Sequence, residues 1–365
     1  MKLLAIAIAG LVMMSCDTGQ TGGPTDTFDR AVMLRSMASG FILPQYDVAV
    51  ARAEELDVAV RALATEPSAD AVRNARSAWL SCAMQWQRTK LFDFGPAEGR
   101  FGDLVQTIGT FPSNVARIEA LIAAGDTSTS SFERDVRGIN SLDYLLFGRS
   151  EDQLIAALQT QQPAGLSLYM LSVTRHIVSE LRGVRDAWRL GYADLFESRS
   201  GTDAGSSISL VVNNLAMSFE FVKNSKIGLP AGLMVGQQRP EPLRVEAYYS
   251  SESLRLARNH VEAIRLFWEG KTSWNEPSES FTSVRHYLAA VVGGPRLVEE
   301  TRVQFDNVDR AFEACNGATL AALCGNNDPR IVALHVELQK LTRFLKSELS
   351  SLLGVAITYS SGDGD

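Results

Sequence analysis

Cysteine and histidine are scarce in this 365-residue chain, four of each, and neither is spaced for the chemistry those residues usually carry. No Cys-x-x-Cys occurs, which excludes a zinc ribbon, and four thiols are too few for a disulfide scaffold of this length. His-Glu-x-x-His, Gly-x-Gly-x-x-Gly, a complete phosphate-binding glycine loop and Gly-x-Ser-x-Gly are all missing. Basic charge is also short: 35 Lys and Arg stand against 42 Asp and Glu, a formal charge of −7, and no basic cluster offsets it. Nucleic acid is therefore excluded as a partner, because binding it rests on cationic neutralisation of phosphates. The most apolar stretch near the start, Leu3 to Met14, is too short to span a bilayer, which takes roughly 20 residues.

What is present begins with that stretch. Lys2 precedes it and Met13-Met14-Ser15-Cys16 closes it, an apolar, apolar, small, Cys series that resembles a bacterial lipobox. Residues 1–15 then read as a lipoprotein signal peptide, and Cys16 becomes the lipidated first residue. Several acyl chains make a stable anchor where one is marginal. Asp17 favours the inner membrane under enteric sorting rules. Residues 16–27, rich in Gly, Thr and Pro, read as a flexible tether. Losing the signal removes Lys2 and takes the formal charge from −7 to −8, so the body faces the periplasm without lying on anionic lipid.

Hydrophobic residues make up 45% and charged residues 21%, enough for a substantial core. Their period is helical. Leu166, Met170, Val173, Ile177, Leu181, Val184 and Trp188 form one stripe; Ile331, Leu334, Leu338, Leu341, Leu345, Leu349 and Leu352 form another. Looser helical patterns cover 43–64, 69–91, 114–123, 208–224, 247–269 and 295–314, and the best strand-like alternation is Ser207 to Val212. The fold is predicted to be all-α, with helical-bundle domains at 28–200 and 201–355 divided in the polar stretch Ser198 to Ser207, and a disordered tail at 356–365. An ancient duplication is compatible with this division, although no clean repeat joins the halves. Cys315 and Cys324 could close a disulfide worth roughly 2–3 kcal/mol, and Cys82 reads as a buried free thiol.

The candidate site lies at Gly138 to Gly148. Gly138 breaks the chain, a short apolar helix follows, and Gly148 closes it. Asn140 and Asp143 are i and i+3, so their oxygens share a face; spacing alone favours capping or turn chemistry over metal ligation.

This segment resembles the signature of the imelysin-like family, bacterial envelope proteins named after an insulin-cleaving metallopeptidase. The family pattern is Gly-x-His-x-x-Glu followed by Tyr-Leu-Leu-Phe-Gly. Gly138 and Tyr144 to Gly148 match, while Asn140 and Asp143 replace the presumed His and Glu ligands. Ile42 to Tyr46, Trp79 and Trp86 with Phe94-Gly95-Pro96, Lys226 to Gly232, and Val245 to Ser250 with Ser253-Leu254 extend the resemblance along the chain. It implies two bundle-like domains with a site at their interface, a link to bacterial iron acquisition, and proteolysis in a few members. Asn140 and Asp143 offer only oxygen, which suits iron(III), calcium or magnesium rather than zinc. Glu246, in the second-half motif, is the third candidate ligand.

Three functions follow. The first is a non-enzymatic lipoprotein of iron or metal acquisition that binds a metal, a metal complex or an iron-uptake partner protein. The second is a metallopeptidase, which lacks its usual ligands and general base here. The third is a periplasmic interaction scaffold with no small ligand. Among other candidates, His176 and Glu180 share a helix face but sit beside Arg175 and Arg182. His260 reads as a surface residue, His286 and His335 lack an acidic partner at helical spacing, and Glu220 reads as the i, i+3 partner of Lys223.

Overall fold

The computed structural model describes residues 27–99, 103–128, 133–160 and 165–359. The signal, Cys16 and most of the tether lie outside these residues, as does the tail from residue 360 onward. Helices alone build the described part, which contains no strand. None of these helices is long and apolar enough to cross a membrane.

The first half opens with α1 (Arg30–Met37), which passes through a π turn at Ala38–Ile42 into α2 (Leu43–Thr65). Pro44 sits just after that turn, where the shifted hydrogen-bond register absorbs its missing N–H. Ser68 caps α3 (Ala69–Thr89) by accepting from the Ala71 N–H. Four shorter helices follow: α4 (Leu104–Gly109), α5 (Val115–Ala124), α6 (Ile139–Phe147) and α7 (Glu151–Thr160). The long α8 (Gly165–Ala187) then packs on α2, and α9 (Ala193–Ser198) returns to α1.

The second half holds α10 (Ser207–Phe221), a π turn at Val222–Gly228, α11 (Ser253–Glu269), α12 (Val284–Ala290), α13 (Gly294–Ala314), α14 (Leu320–Gly325), α15 (Pro329–Thr342) and α16 (Leu349–Leu353). Both predicted stripes are buried except for Leu352, which is partly buried at the end of the second, and each runs through a helix interrupted by a π turn. The polar stretch at 198–207 is the connection from α9 to α10. Across it the buried apolar cluster continues unbroken from Met33 to Val355. Here α11 packs on α3, and the Phe41 and Phe267 rings meet at 5.4 Å. Each such ring removed from water contributes roughly 1.5–3 kcal/mol.

Ser207 to Val212 is the first turn and a half of α10, in line with the helical pattern expected from residue 208. Two local expectations are corrected. The helix predicted over 247–269 starts only at Ser253; Ala247 (φ 54°) and Ser251 (φ 64°) adopt left-handed backbone that a helix cannot contain. Cys315 and Cys324 are free thiols, both fully buried at the ends of α13 and α14, where they pack as small apolar side chains. Burial raises both, Cys324 to about 12. Cys82 is a buried free thiol as predicted.

Candidate functional site

Glycine determines how α6 enters the core. Gly138 has φ +89°, and a Cβ there would lie 2.3 Å from the Ile108 carbonyl oxygen, so no other residue fits this approach. The Trp79 indole donates to the Ile139 carbonyl at 2.8 Å, fixing the start of α6 on α3. At the other end the Arg76 guanidinium donates to the Leu146 and Arg149 carbonyls at 2.9 and 3.0 Å, satisfying acceptors that the helix end leaves open. Asn140 and Asp143 are thereby held on a buried face, 4% and 1% exposed.

Neither residue caps its own helix. Both reach across to the turn before α11. Asn140 Oδ1 accepts from the Ala247 N–H at 3.2 Å, and its amide donates to the Gly109 carbonyl at 3.2 Å. Asp143 takes two successive backbone donors, Tyr249 N–H at 2.9 Å and Ser250 N–H at 3.0 Å. It thus performs the capping chemistry that its residue type favours, but on a turn 106 residues further along the chain. Burial raises its carboxyl to about 6, against the pull of those donors, with a smaller push from Glu246.

Glu246 faces away from this pair. Its Oε2 lies 2.7 Å from Lys226 Nζ, and its Oε1 accepts from the Gln87 amide at 3.2 Å with Lys90 Nζ at 3.9 Å. Lys226 also donates to Gln87 Oε1 at 2.5 Å. All four side chains are buried. Burial opposes ionisation of Glu246, yet Lys226 and Lys90 hold it below its ordinary value. Burial also lowers both lysines; Lys90, beside Lys226, falls to about 7.

A pocket of about 270 Å³ opens above Asn140 and Asp143, walled by Phe111, Ser113, Leu243, Tyr248 and Tyr249. The Tyr249 ring packs against Tyr144 at 5.1 Å, and the Tyr144 hydroxyl and Arg149 converge on Glu119. The oxygens at the base of this pocket do not suit a metal ion. Asn140 Oδ1 and both Asp143 oxygens are taken by backbone N–H groups, and Glu246 is paired with a lysine. Among the described residues no group of three or more His, Cys, Asp and Glu is placed to hold one.

The remaining candidates are scattered. His176 Nδ1 sits 3.7 Å from Glu180, and burial and Arg137 lower the imidazole to about 4, so it is neutral. His260 is fully buried rather than on the surface, with Nε2 2.7 Å from Ser218 Oγ, because α11 is enclosed on that side by α10. His286 accepts from the Ser283 N–H at 2.9 Å and meets Glu279, seven residues before it, at 2.6 Å. Glu220 contacts Lys346 at 3.0 Å, a partner from the distant π turn at Arg343–Glu348. Gln87 and Lys90 were missed; their one signal is polar side chains three apart at the apolar end of α3.

The fold and site define a class: all-helical chains in which a short buried helix, entered and left through glycine, is locked to a distant turn before a late helix. The imelysin family model (Peptidase_M75) matches residues 42–345, and the chain belongs to that family. It is similar to iron-regulated protein A of Synechococcus elongatus, 23% identical over 286 residues, covering 74% of this chain and 70% of that one. Two crystal structures share the fold. A candidate iron-regulated protein A precursor from Parabacteroides distasonis aligns with TM-score 0.74 at 20% identity, covering 91% of this chain and 97% of the other. An imelysin-like protein from Psychrobacter arcticum 273-4 aligns with TM-score 0.72 at 17% identity, with the same coverages of 91% and 97%.

Proposed function

We propose that this chain is a lipid-anchored envelope protein that serves iron acquisition without catalysis, by binding an iron complex or an iron-uptake partner at the pocket above Asn140 and Asp143. The name of the Synechococcus relative supports the link to iron. The observation that carries the non-catalytic reading is the occupation of the motif oxygens by backbone donors. A zinc peptidase needs about three protein ligands and an open position for water; those oxygens are committed to holding a turn. The pocket walls, with tyrosines, a leucine and a phenylalanine around a polar base, suit an aromatic or chelated ligand better than a bare ion. The lipobox-like Cys16 supplies the anchor, and Asp17 directs it to the inner membrane.

The test is iron accumulation by cells lacking the protein, complemented with wild type or with Ser113→Trp, which fills the pocket mouth. Under iron limitation the deletion should accumulate less iron, and the filled variant should fail to restore it at normal protein levels. Unchanged accumulation in the deletion would overturn the iron role. Chelator-sensitive peptide cleavage by purified wild type would overturn the non-catalytic reading. Labelling with radioactive palmitate should be lost in Cys16→Ala.

A further inference from the structure

A second cavity, of about 190 Å³, lies between the segment following α3 and helices α10 and α11. At about 30 Å³ per water it would hold roughly six, and it is smaller than the roughly 300–1,000 Å³ pockets that take drug-sized molecules. Lys90 lines it. The Lys90 side chain is 1% exposed, its ammonium has no hydrogen-bond acceptor, and Glu246 Oε1 stands off at 3.9 Å. The Phe221 ring face at 4.4 Å favours the cation but supplies no acceptor for its hydrogens.

The acidic side of the same cavity is a carboxyl pair. Asp93 accepts from the Val105 N–H at 3.3 Å and packs against Asp103, the N-cap of α4; burial and that neighbour raise the Asp93 carboxyl to about 8. Two further lining residues each carry one buried polar atom without a partner. These are His260 Nδ1, whose Nε2 is on Ser218, and Asn214 Oδ1, whose amide donates to the Leu210 carbonyl.

Charge balance narrows the ligand. Two basic side chains, Lys90 and Lys226, face a single carboxylate, Glu246, on one side, and two carboxyl groups, Asp93 and Asp103, line the other. The surroundings are thus polarised between Lys90 and the carboxyl pair. A lone anion or lone cation would leave a buried charge uncompensated, which is costly. A small molecule carrying both charges satisfies each side.

We infer that this cavity binds a small zwitterion the size of a free amino acid, its carboxylate on Lys90 and its ammonium on the Asp93–Asp103 pair. Phe221 and Met217 offer the apolar surface for its body. This site is distinct from the pocket above Asn140 and stands whether or not the iron role holds.

Calorimetric titration of the full-length protein tests it. The probes are glycine, L-alanine, L-serine and L-valine, with propionate and ethylamine as one-ended analogues of alanine, and isovalerate and isobutylamine as those of valine. At least one amino acid should bind saturably at one per chain, and both analogues of alanine or valine should be at least about tenfold weaker, about 1.4 kcal/mol. Lys90→Gln and Asp103→Asn, checked for folding by thermal melting, should each weaken binding at least about tenfold. Absence of binding by all four amino acids at about 10 mM, weaker than any useful affinity, would overturn the proposal. So would an analogue that binds as tightly as its parent. The wild-type series is decisive even if a variant fails to fold.

Discussion

Asp143 and Glu246 are both buried carboxylates on either side of the turn before α11, and they are stabilised in opposite ways. Asp143 meets neutral donors, the Ser250 side chain and the Tyr249 and Ser250 N–H groups, and burial prevails, raising it to about 6. Glu246 meets Lys226 and Lys90, and there the opposite charges prevail, holding it below its ordinary value. Equal burial thus leads to different protonation behaviour, decided by whether the partner is a dipole or a charge. The division extends to function. The motif pair uses up its polar atoms in joining α6 to the turn, whereas the charged cluster behind it leaves Lys90 without a hydrogen-bond acceptor.

The largest effect should come from the charged side. Glu246→Ala strands Lys226 and Lys90 in the core and should lower stability by about 3–5 kcal/mol. The double variant Glu246→Leu with Lys226→Met should recover most of that loss. Urea denaturation of the single and double variants checks both; equal loss in the two would show that packing rather than charge holds this region.

On the dipole side the effect should be smaller. Asp143→Ala leaves the Tyr249 and Ser250 N–H groups unmatched and should cost about 1–3 kcal/mol, more than the about 1 kcal/mol of an ordinary helix cap. Asn140→Ala removes one bond in each direction and should cost about 1 kcal/mol. The same denaturation series ranks them; an Asn140→Ala loss larger than that of Asp143→Ala would place the main tie at the wrong residue.

The smallest effect is a pH dependence. Asp143 is raised from an ordinary value of about 3.9 to about 6, so the folded state binds the extra proton between them. Its contribution is fully present below about 3.9 and is lost as pH rises through about 6. Wild type should therefore lose stability relative to Asp143→Asn over that window, read from melting temperatures at matched ionic strength. A gain over the same window would mean that the two N–H donors outweigh burial.

Much of this was legible in the sequence, and the limits have physical causes. The heptad-like stripes specified the long helices because their period is local. Glycine at 138 and 148 marked the ends of α6 for the same reason. The direction in which Asn140 and Asp143 point could not be read, since their partners are more than 100 residues away and consist of backbone, which carries no side-chain signal. The turn at 247–252 was misread as helix because its apolar and polar residues keep a helical spacing while Ala247 and Ser251 take left-handed backbone. His260 was placed on the surface from its own helix alone; what buries it is α10.

The central claim is that the motif oxygens hold a turn and do not ligate metal. Its most direct test is elemental analysis and calorimetric titration of the full-length protein with iron, zinc, calcium and magnesium, comparing wild type with Asn140→Ala and Asp143→Ala. The account predicts no stoichiometric metal that depends on either residue, together with the stability losses given above. One metal ion per chain, lost in both variants, would contradict it.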